Sequence, residues 1–254
     1  MGGDLISVRI LAAFGSAWDR DLLRQAAIMS PLLVEVLDAE NVSAARNLLL
    51  ADEFDVVFIE AAAPDLTPFI AAARSARQPP FVILVASAAR GASELKSADA
   101  TADGVVTKPA GVEQARALID RCIRLRLPSR VLLVDDSATQ RRIVRKLLTG
   151  IRFPLDIAEA GDGIEALKQL AAGKLDFVFL DYKMPRLNGL ETLSEIKRLH
   201  PLVQVVLMTS VRDDTIARRA RTAGAAAFLR KPFYPADIDA VLHRIYGLRA
   251  SAKG

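Results

Sequence analysis

The sequence predicts two α/β domains in succession, each built on a parallel sheet with helices on both faces. Three observations lead there. Short, continuously apolar runs alternate with stretches of helical period along all 254 residues, as strands buried on both faces require. The pattern also occurs twice: FDVVFIEAAAP at 54–64 returns 121 residues later as LDFVFLDYKMP at 175–185, which sets Glu60 on Asp181 and Pro64 on Pro185. A repeat of that period is a domain duplicated in tandem, and the length suits two ordinary domains.

In the second half the strand candidates are RVLLVD (130–135), LDIAE (155–159), DFVFLD (176–181), QVVLMT (204–209) and AAFLR (226–230). Between them lie amphipathic stretches such as TQRRIVRKLLTG, GIEALKQLAAG, GLETLSEIKRL and TIARRARTAG, with ADIDAVLHRIYG closing the set. Five βα units in about 120 residues make a flavodoxin-like, doubly wound (βα)5 domain. The first half repeats the order with VRILAA, LLVEVLD, DVVFIE, FVILVAS and DGVVTK, again with helical patterns between. Its last helix, GVEQARALIDRCIRLR, runs nearly into the next strand, and Pro128 stops it. The expected domains are therefore 1–127 and 128–254, joined by a connection too short to allow much reorientation.

Composition narrows the function. Hydrophobic residues make up 52% and charged residues 25%, an ordinary globular balance. No apolar stretch reaches the ~18 residues of a membrane span, and MGGDLISVRI lacks the basic and apolar regions of a secretory signal. The single cysteine, Cys122, has no internal disulfide partner, and no Cys/His cluster indicates zinc. A cytoplasmic location is expected. Formal charge is −3 over residues 1–128 and +7 over the remainder. Basic character of that size is a solvated face more often than a nucleic-acid site, so nucleic acid is not the expected partner.

Ligands of an open α/β sheet bind beyond the carboxyl ends of its strands. Asp135, Asp136, Asp181, Thr209 and Lys231 stand there in the second half. Crowded carboxylates repel one another, and a hard, oxygen-seeking cation such as Mg²⁺ relieves that. A lysine and a small hydroxyl complete a set suited to phosphoryl transfer, which depends on positioning and charge neutralisation.

Taken together, Asp135-Asp136, Asp181 with Pro185 and Gly189, Thr209-Ser210 and Lys231-Pro232-Phe233 resemble the receiver domain of two-component response regulators. Each motif alone is weak; all of them in order at strand ends are specific. The resemblance implies that Asp181 is the phosphoacceptor, served by a histidine kinase or a histidine phosphotransfer protein. It implies that Asp135, Asp136, Asp181 and the backbone carbonyl of Lys183 hold Mg²⁺, with Mn²⁺ as a substitute. Thr209 and Lys231 would contact the phosphoryl oxygens, while Lys183 and Ser210 would tune dephosphorylation. Phe228 stands where receivers often carry an aromatic switch that works with Thr209; the alternative is an ordinary core residue. A haloacid-dehalogenase-type phosphatase also uses an Asp after a strand, but it needs a second acid where this chain has Lys183.

The first half keeps the shell and loses the acids. Lys108-Pro109 persists, and Ala86-Ser87 replaces Thr209-Ser210 at the same 22-residue distance from the lysine. In place of the acidic pair stands RILAAFG, with Ala12, Ala13 and Phe14 as candidates and Ala13 taken as the central one. Glu60 occupies the acceptor position. This half resembles a pseudo-receiver: a docking platform, a dimerisation module or a lid. Glu60 either pairs with Lys108 in imitation of a phosphorylated state or is a partly solvated strand-end acid.

The expected protein is a cytoplasmic bacterial response regulator with tandem receivers and no catalytic activity beyond its own phosphorylation and dephosphorylation. After HRIYGLR only ASAKG remains, so output is expected by protein contact through the 212–248 face, not by a fused DNA-binding or enzymatic domain. A second copy of the chain is a further candidate partner. The basic helices, with Arg141, Arg142, Arg145 and Lys146 in one and Arg218, Arg219 and Arg221 in the other, suit acidic proteins. The alternatives are a non-phosphorylated scaffold, a phosphate sink, or an anionic-nucleotide binder.

Overall fold

The computed structural model describes residues 7–87 and 102–248. Two compact units divide the chain: Met1–Arg126 with Tyr246–Gly254, and Leu127–Ile245. Residues 246–248 group with the first unit. There Leu248 is fully buried, with its Cβ 3.0 Å from where a Cβ on Gly104 would lie.

The first unit runs β1 (Ser7–Ala13), α1 (Ala17–Ile28), β2 (Leu33–Ala39), α2 (Val42–Ala51), β3 (Val56–Glu60), α3 (Leu66–Arg74), β4 (Phe81–Ala86), β5 (Gly104–Thr107) and α4 (Val112–Arg126). The helical pattern expected between β4 and β5 falls mostly on residues 88–101, outside the described residues. The second unit runs β6 (Ser129–Val134), α5 (Ala138–Thr149), β7 (Leu155–Ala160), α6 (Gly163–Ala172), β8 (Phe177–Asp181), α7 (Gly189–Leu199), β9 (Gln204–Thr209), α8 (Asp214–Thr222), β10 (Ala227–Arg230) and α9 (Pro235–Ile245).

Both sheets are wholly parallel, ordered β2-β1-β3-β4-β5 and β7-β6-β8-β9-β10, the flavodoxin-like order the periodicity predicts. The order reverses beside the first strand of each sheet, which opens a crevice at the carboxyl ends of β6 and β8. Central strands are apolar throughout because helices cover both faces. In β8 every residue is buried, and Val178, Phe179 and Leu180 are at 0% exposure; each such side chain contributes roughly 1.5–3 kcal/mol on burial.

Helix starts follow local chemistry. Ser16 and Ser137 cap α1 and α5 by accepting from the backbone N–H of Asp19 and Gln140, while Asn188 and Glu191 form a reciprocal capping box at α7. Pro128 ends α4 as expected, the helix stopping at Arg126.

Candidate functional site

Four strand ends converge in the second unit. The carboxylate of Asp135, just past β6, is 2% exposed, and Asp181, the last residue of β8, is 7% exposed. Between them the Lys231 ammonium donates to Asp135 Oδ2 at 2.6 Å and Asp181 Oδ1 at 2.7 Å. The second oxygen of Asp181 accepts from the backbone N–H of Lys183 at 2.8 Å, and Asp135 Oδ1 accepts from Ser137 N–H at 2.9 Å. Both carboxylates are therefore oriented before any ligand arrives.

Burial pushes the Asp181 carboxyl above the usual aspartate value; Lys231 pulls the other way, but its charge is shared with Asp135. For Lys231 itself burial disfavours the charge, yet the two carboxylates more than offset this and its pKa stands above that of a free lysine.

Asp136, Lys183 and Ser210 are exposed and border, with Asp135, Asp181 and Lys231, a cleft of about 570 Å³. One wall of that cleft is apolar, formed by Ile143, Val144 and Leu147 of α5 with Pro232 and Phe233. Thr209 is 1% exposed, and its hydroxyl oxygen accepts from Val211 N–H at 3.1 Å, leaving the O–H free to donate. Phe228 is partly buried in β10 against the core that includes Leu207. The site residues named from sequence are thus gathered at one end of the sheet, apart from Phe228, which lies behind it in the core.

Gly189 is required by close approach. A Cβ there would collide with the carbonyl oxygen of Asp181 and come within 2.7 Å of Tyr182 Cα, so any side chain would displace the backbone that carries Asp181.

As cation donors, Asp135, Asp136 and Asp181 with the Lys183 carbonyl are all hard oxygens, the chemistry Mg²⁺ or Mn²⁺ takes. Among the described residues no group of three or more acidic, histidine or cysteine side chains is drawn together as a metal cage, because Lys231 itself supplies the counter-charge between Asp135 and Asp181. The residues fit such a cation in kind.

Motif spacing did not single out Arg141. Its Nη1 donates to the Asp135 carbonyl at 2.7 Å and its Nε to Glu159 Oε2 at 3.0 Å, fixing the loop that holds the acidic pair. The first unit contains the same strut: Arg20 donates to the Phe14 carbonyl at 2.6 Å and to Asp38 Oδ2 at 3.1 Å. The 121-residue offset, applied beyond the strand motifs, reveals both pairs.

That strut also settles the first unit's alignment. Phe14 N–H binds the Ala39 carbonyl as Asp135 N–H binds that of Ala160, so Phe14 and Gly15 stand at the acidic pair. Ala13 ends β1 and matches Val134, which corrects the expectation that Ala13 occupies the pair's position. Ala86 and Thr209 correspond, since each carbonyl accepts from the following lysine, Lys108 or Lys231. The Lys108 ammonium lies 3.5 Å from Glu60 Oε1 but 2.5 Å from Asp19 Oδ2. Sequence reading missed Asp19, whose counterpart is Gln140; an acid gained in the first helix beside a site that has lost its acids was the available signal.

Comparison with known proteins agrees with this geometry. The family described as response regulator receiver domain matches residues 131–243. The second unit is a response regulator receiver domain. The cyclic di-GMP phosphodiesterase response regulator RpfG of Xanthomonas campestris pv. campestris (strain 8004) is 32% identical over 151 residues, 59% of this chain and 40% of that protein. The transcriptional regulatory protein PdtaR of Mycobacterium tuberculosis (strain ATCC 25618 / H37Rv) is 39% identical over 114 residues, 44% of this chain and 54% of that protein. The chain thus spans about half or less of these curated relatives. A solved structure of a two-component system response regulator/GGDEF domain protein aligns over 94% of this chain and 97% of its own, with a TM-score of 0.50 and 22% identity. That likeness is one of fold, and it extends across both units.

Proposed function

We propose that the receiver in the second unit accepts a phosphoryl group on Asp181 and that the first unit is a degenerate receiver that accepts none. The supporting observation is the pair of tethers on Asp181. Lys231 and the Lys183 N–H hold its two oxygens at the mouth of a cleft wide enough for a donor. The carboxylate attacks phosphorus of a phosphohistidine; the P–N bond breaks as the P–O bond forms, and the imidazole leaves with the electron pair and takes up a proton. Lys231 turns from Asp181 to the new phosphoryl oxygens, and the Thr209 O–H donates to another. Asp135, Asp136, Asp181 and the Lys183 carbonyl would hold Mg²⁺ or Mn²⁺, which when bound neutralises charge at the reacting group. Water later cleaves the acyl phosphate, and this self-dephosphorylation is the only further catalysis assigned to the domain.

The donor is a cytoplasmic histidine kinase or histidine phosphotransfer protein, whose apolar helix face fits the Ile143–Leu147 wall and whose acidic flanks meet Arg142 and Arg145. Output passes by protein contact through the 212–248 face, with Phe228 and Thr209 as the coupled switch. The first unit serves docking or self-association.

Acetyl phosphate with Mg²⁺ tests this. A single phosphoryl adduct is expected by intact mass, absent in Asp181→Asn and absent when the cation is chelated. An adduct that persists in Asp181→Asn overturns the assignment.

A further inference from the structure

The first unit holds an ion-pair arrangement that the second lacks. Lys108, at the position of Lys231, has its nearest carboxylate not at a strand end but on a helix: Asp19, third residue of α1 and 6% exposed. Glu60, at the acceptor position, is a more distant and more exposed partner at 3.5 Å, with its side chain 37% exposed. Burial works against the Lys108 charge, and Asp19, with a smaller contribution from Glu60, more than offsets it, so the lysine is held protonated. The pair ties the start of α1 to the loop between β5 and α4.

The rest of α1 follows the same direction. It packs along α4, where Ala115, Leu118, Ile119 and Cys122 are buried. Leu22 on α1 is only 6% exposed, whereas its counterpart Ile143 in the receiver is 49% exposed and borders the open cleft. Phe14, at the position of Asp135, is buried and apolar. The first unit has therefore given up its cation ligands and also the groove beside them.

We infer that the Asp19–Lys108 pair is an internal lock: a carboxylate of the chain's own first helix takes the place of the ligands a receiver awaits and holds the first unit in one state whether or not the second is phosphorylated. This rests on the reading of the first unit as a degenerate receiver and assigns it the role of a fixed platform. It also makes Asp19, not Glu60, the residue that keeps Lys108 satisfied. Asp19 is buried and Lys108 partly so; such a pair adds little net stability, but removing Lys108 strands a buried carboxylate and is costly.

Hydrogen–deuterium exchange of the full chain, read by mass spectrometry, tests the lock. In Asp19→Asn, peptides covering α1 should exchange about tenfold faster or more, while Glu60→Gln leaves them within about twofold of the parent. Lys108→Met should loosen the same peptides, and Asp19→Asn/Lys108→Met should loosen them less than the two single changes combined. Should Asp19→Asn not yield folded protein, Lys108→Met against Glu60→Gln decides the matter. Mg²⁺ with beryllofluoride should leave the α1 peptides of the parent protein unchanged. Equal loosening by Glu60→Gln and Asp19→Asn overturns the inference, as do α1 rates unaffected by either Asp19 or Lys108, or α1 protection that follows beryllofluoride. The variants are compared without ligand, so failure of beryllofluoride to protect the β6–α5 and β9–α8 peptides counts against phosphorylation at Asp181 and not against the lock.

Discussion

The two units share a scaffold down to individual hydrogen bonds and differ in the few side chains at one end of the sheet. Asp55 Oδ2 accepts from Arg9 N–H at 2.8 Å in the first, and Asp176 Oδ2 from Arg130 N–H at 2.8 Å in the second. The loop after the third strand turns through a positive φ in both, at Asp65 (57°) and Arg186 (68°). The Arg20 and Arg141 struts are superimposable in kind. Against this background the acidic pair becomes Phe14 and Gly15, Asp181 becomes Glu60, and Thr209 becomes Ala86. The lesson is that the features holding the fold are separable from those making the chemistry: the struts persist where there is no longer an acid for them to position.

The largest contrast is all-or-none. Asp181→Asn should abolish labelling by acetyl phosphate, whereas Glu60→Gln should leave the yield unchanged; a loss of label in Glu60→Gln would end the division of labour between the units. Next comes the first-helix groove. Leu22→Asp buries a charge in the closed first unit and should cost more than about 4 kcal/mol in chemical denaturation. Its counterpart Ile143→Asp should change stability by less than about 1 kcal/mol, leave acetyl phosphate labelling intact, and slow transfer from a phosphohistidine protein. Equal stability losses at the two positions would show that the grooves do not differ.

The struts sharpen the comparison from the other side. Arg20→Gln and Arg141→Gln should each destabilise their own unit by about 1–3 kcal/mol, and only Arg141→Gln should lower the phosphorylation rate. The smallest effect is a displacement in pH. As the proposed phosphoacceptor, Asp181 must be ionised to attack, and burial holds its pKa above the ordinary 3.8. The acid limb of the labelling rate should therefore lie above that value, with activity lost as pH falls through it. Lys231→Met removes the charge that opposes the shift and should move the limb higher still. Lys231, raised above 10.5 in the fold, supports stability below that pH, and the support is lost as pH climbs through the folded value.

Much of this was legible in the sequence because strand cores and strand-end acids are local signals. β8 reads as DFVFLD with its acid at the carboxyl end, and that is where Asp181 lies. What stayed hidden depends on pairing across the fold. Asp19 sits on a helix among other charged residues, and only the return of β5 beside β4 brings Lys108 to it. The one-residue error at Ala13 arose because an apolar strand running into Phe14 offers no mark of where the strand ends. Lys231 was visible as a cation at a strand end, but its bridge between Asp135 and Asp181 needs the three strands assembled.

That bridge has an electrostatic consequence. Three aspartates, with Lys231 between two of them and Lys183 at the rim, leave the receiver's cleft with one net negative charge. The first unit's Asp19, Glu60 and Lys108 sum to the same charge, but with one carboxylate fewer and the nearer one already tied to the lysine. Occupancy of the receiver by a cation should accordingly weaken as ionic strength rises and screens those carboxylates.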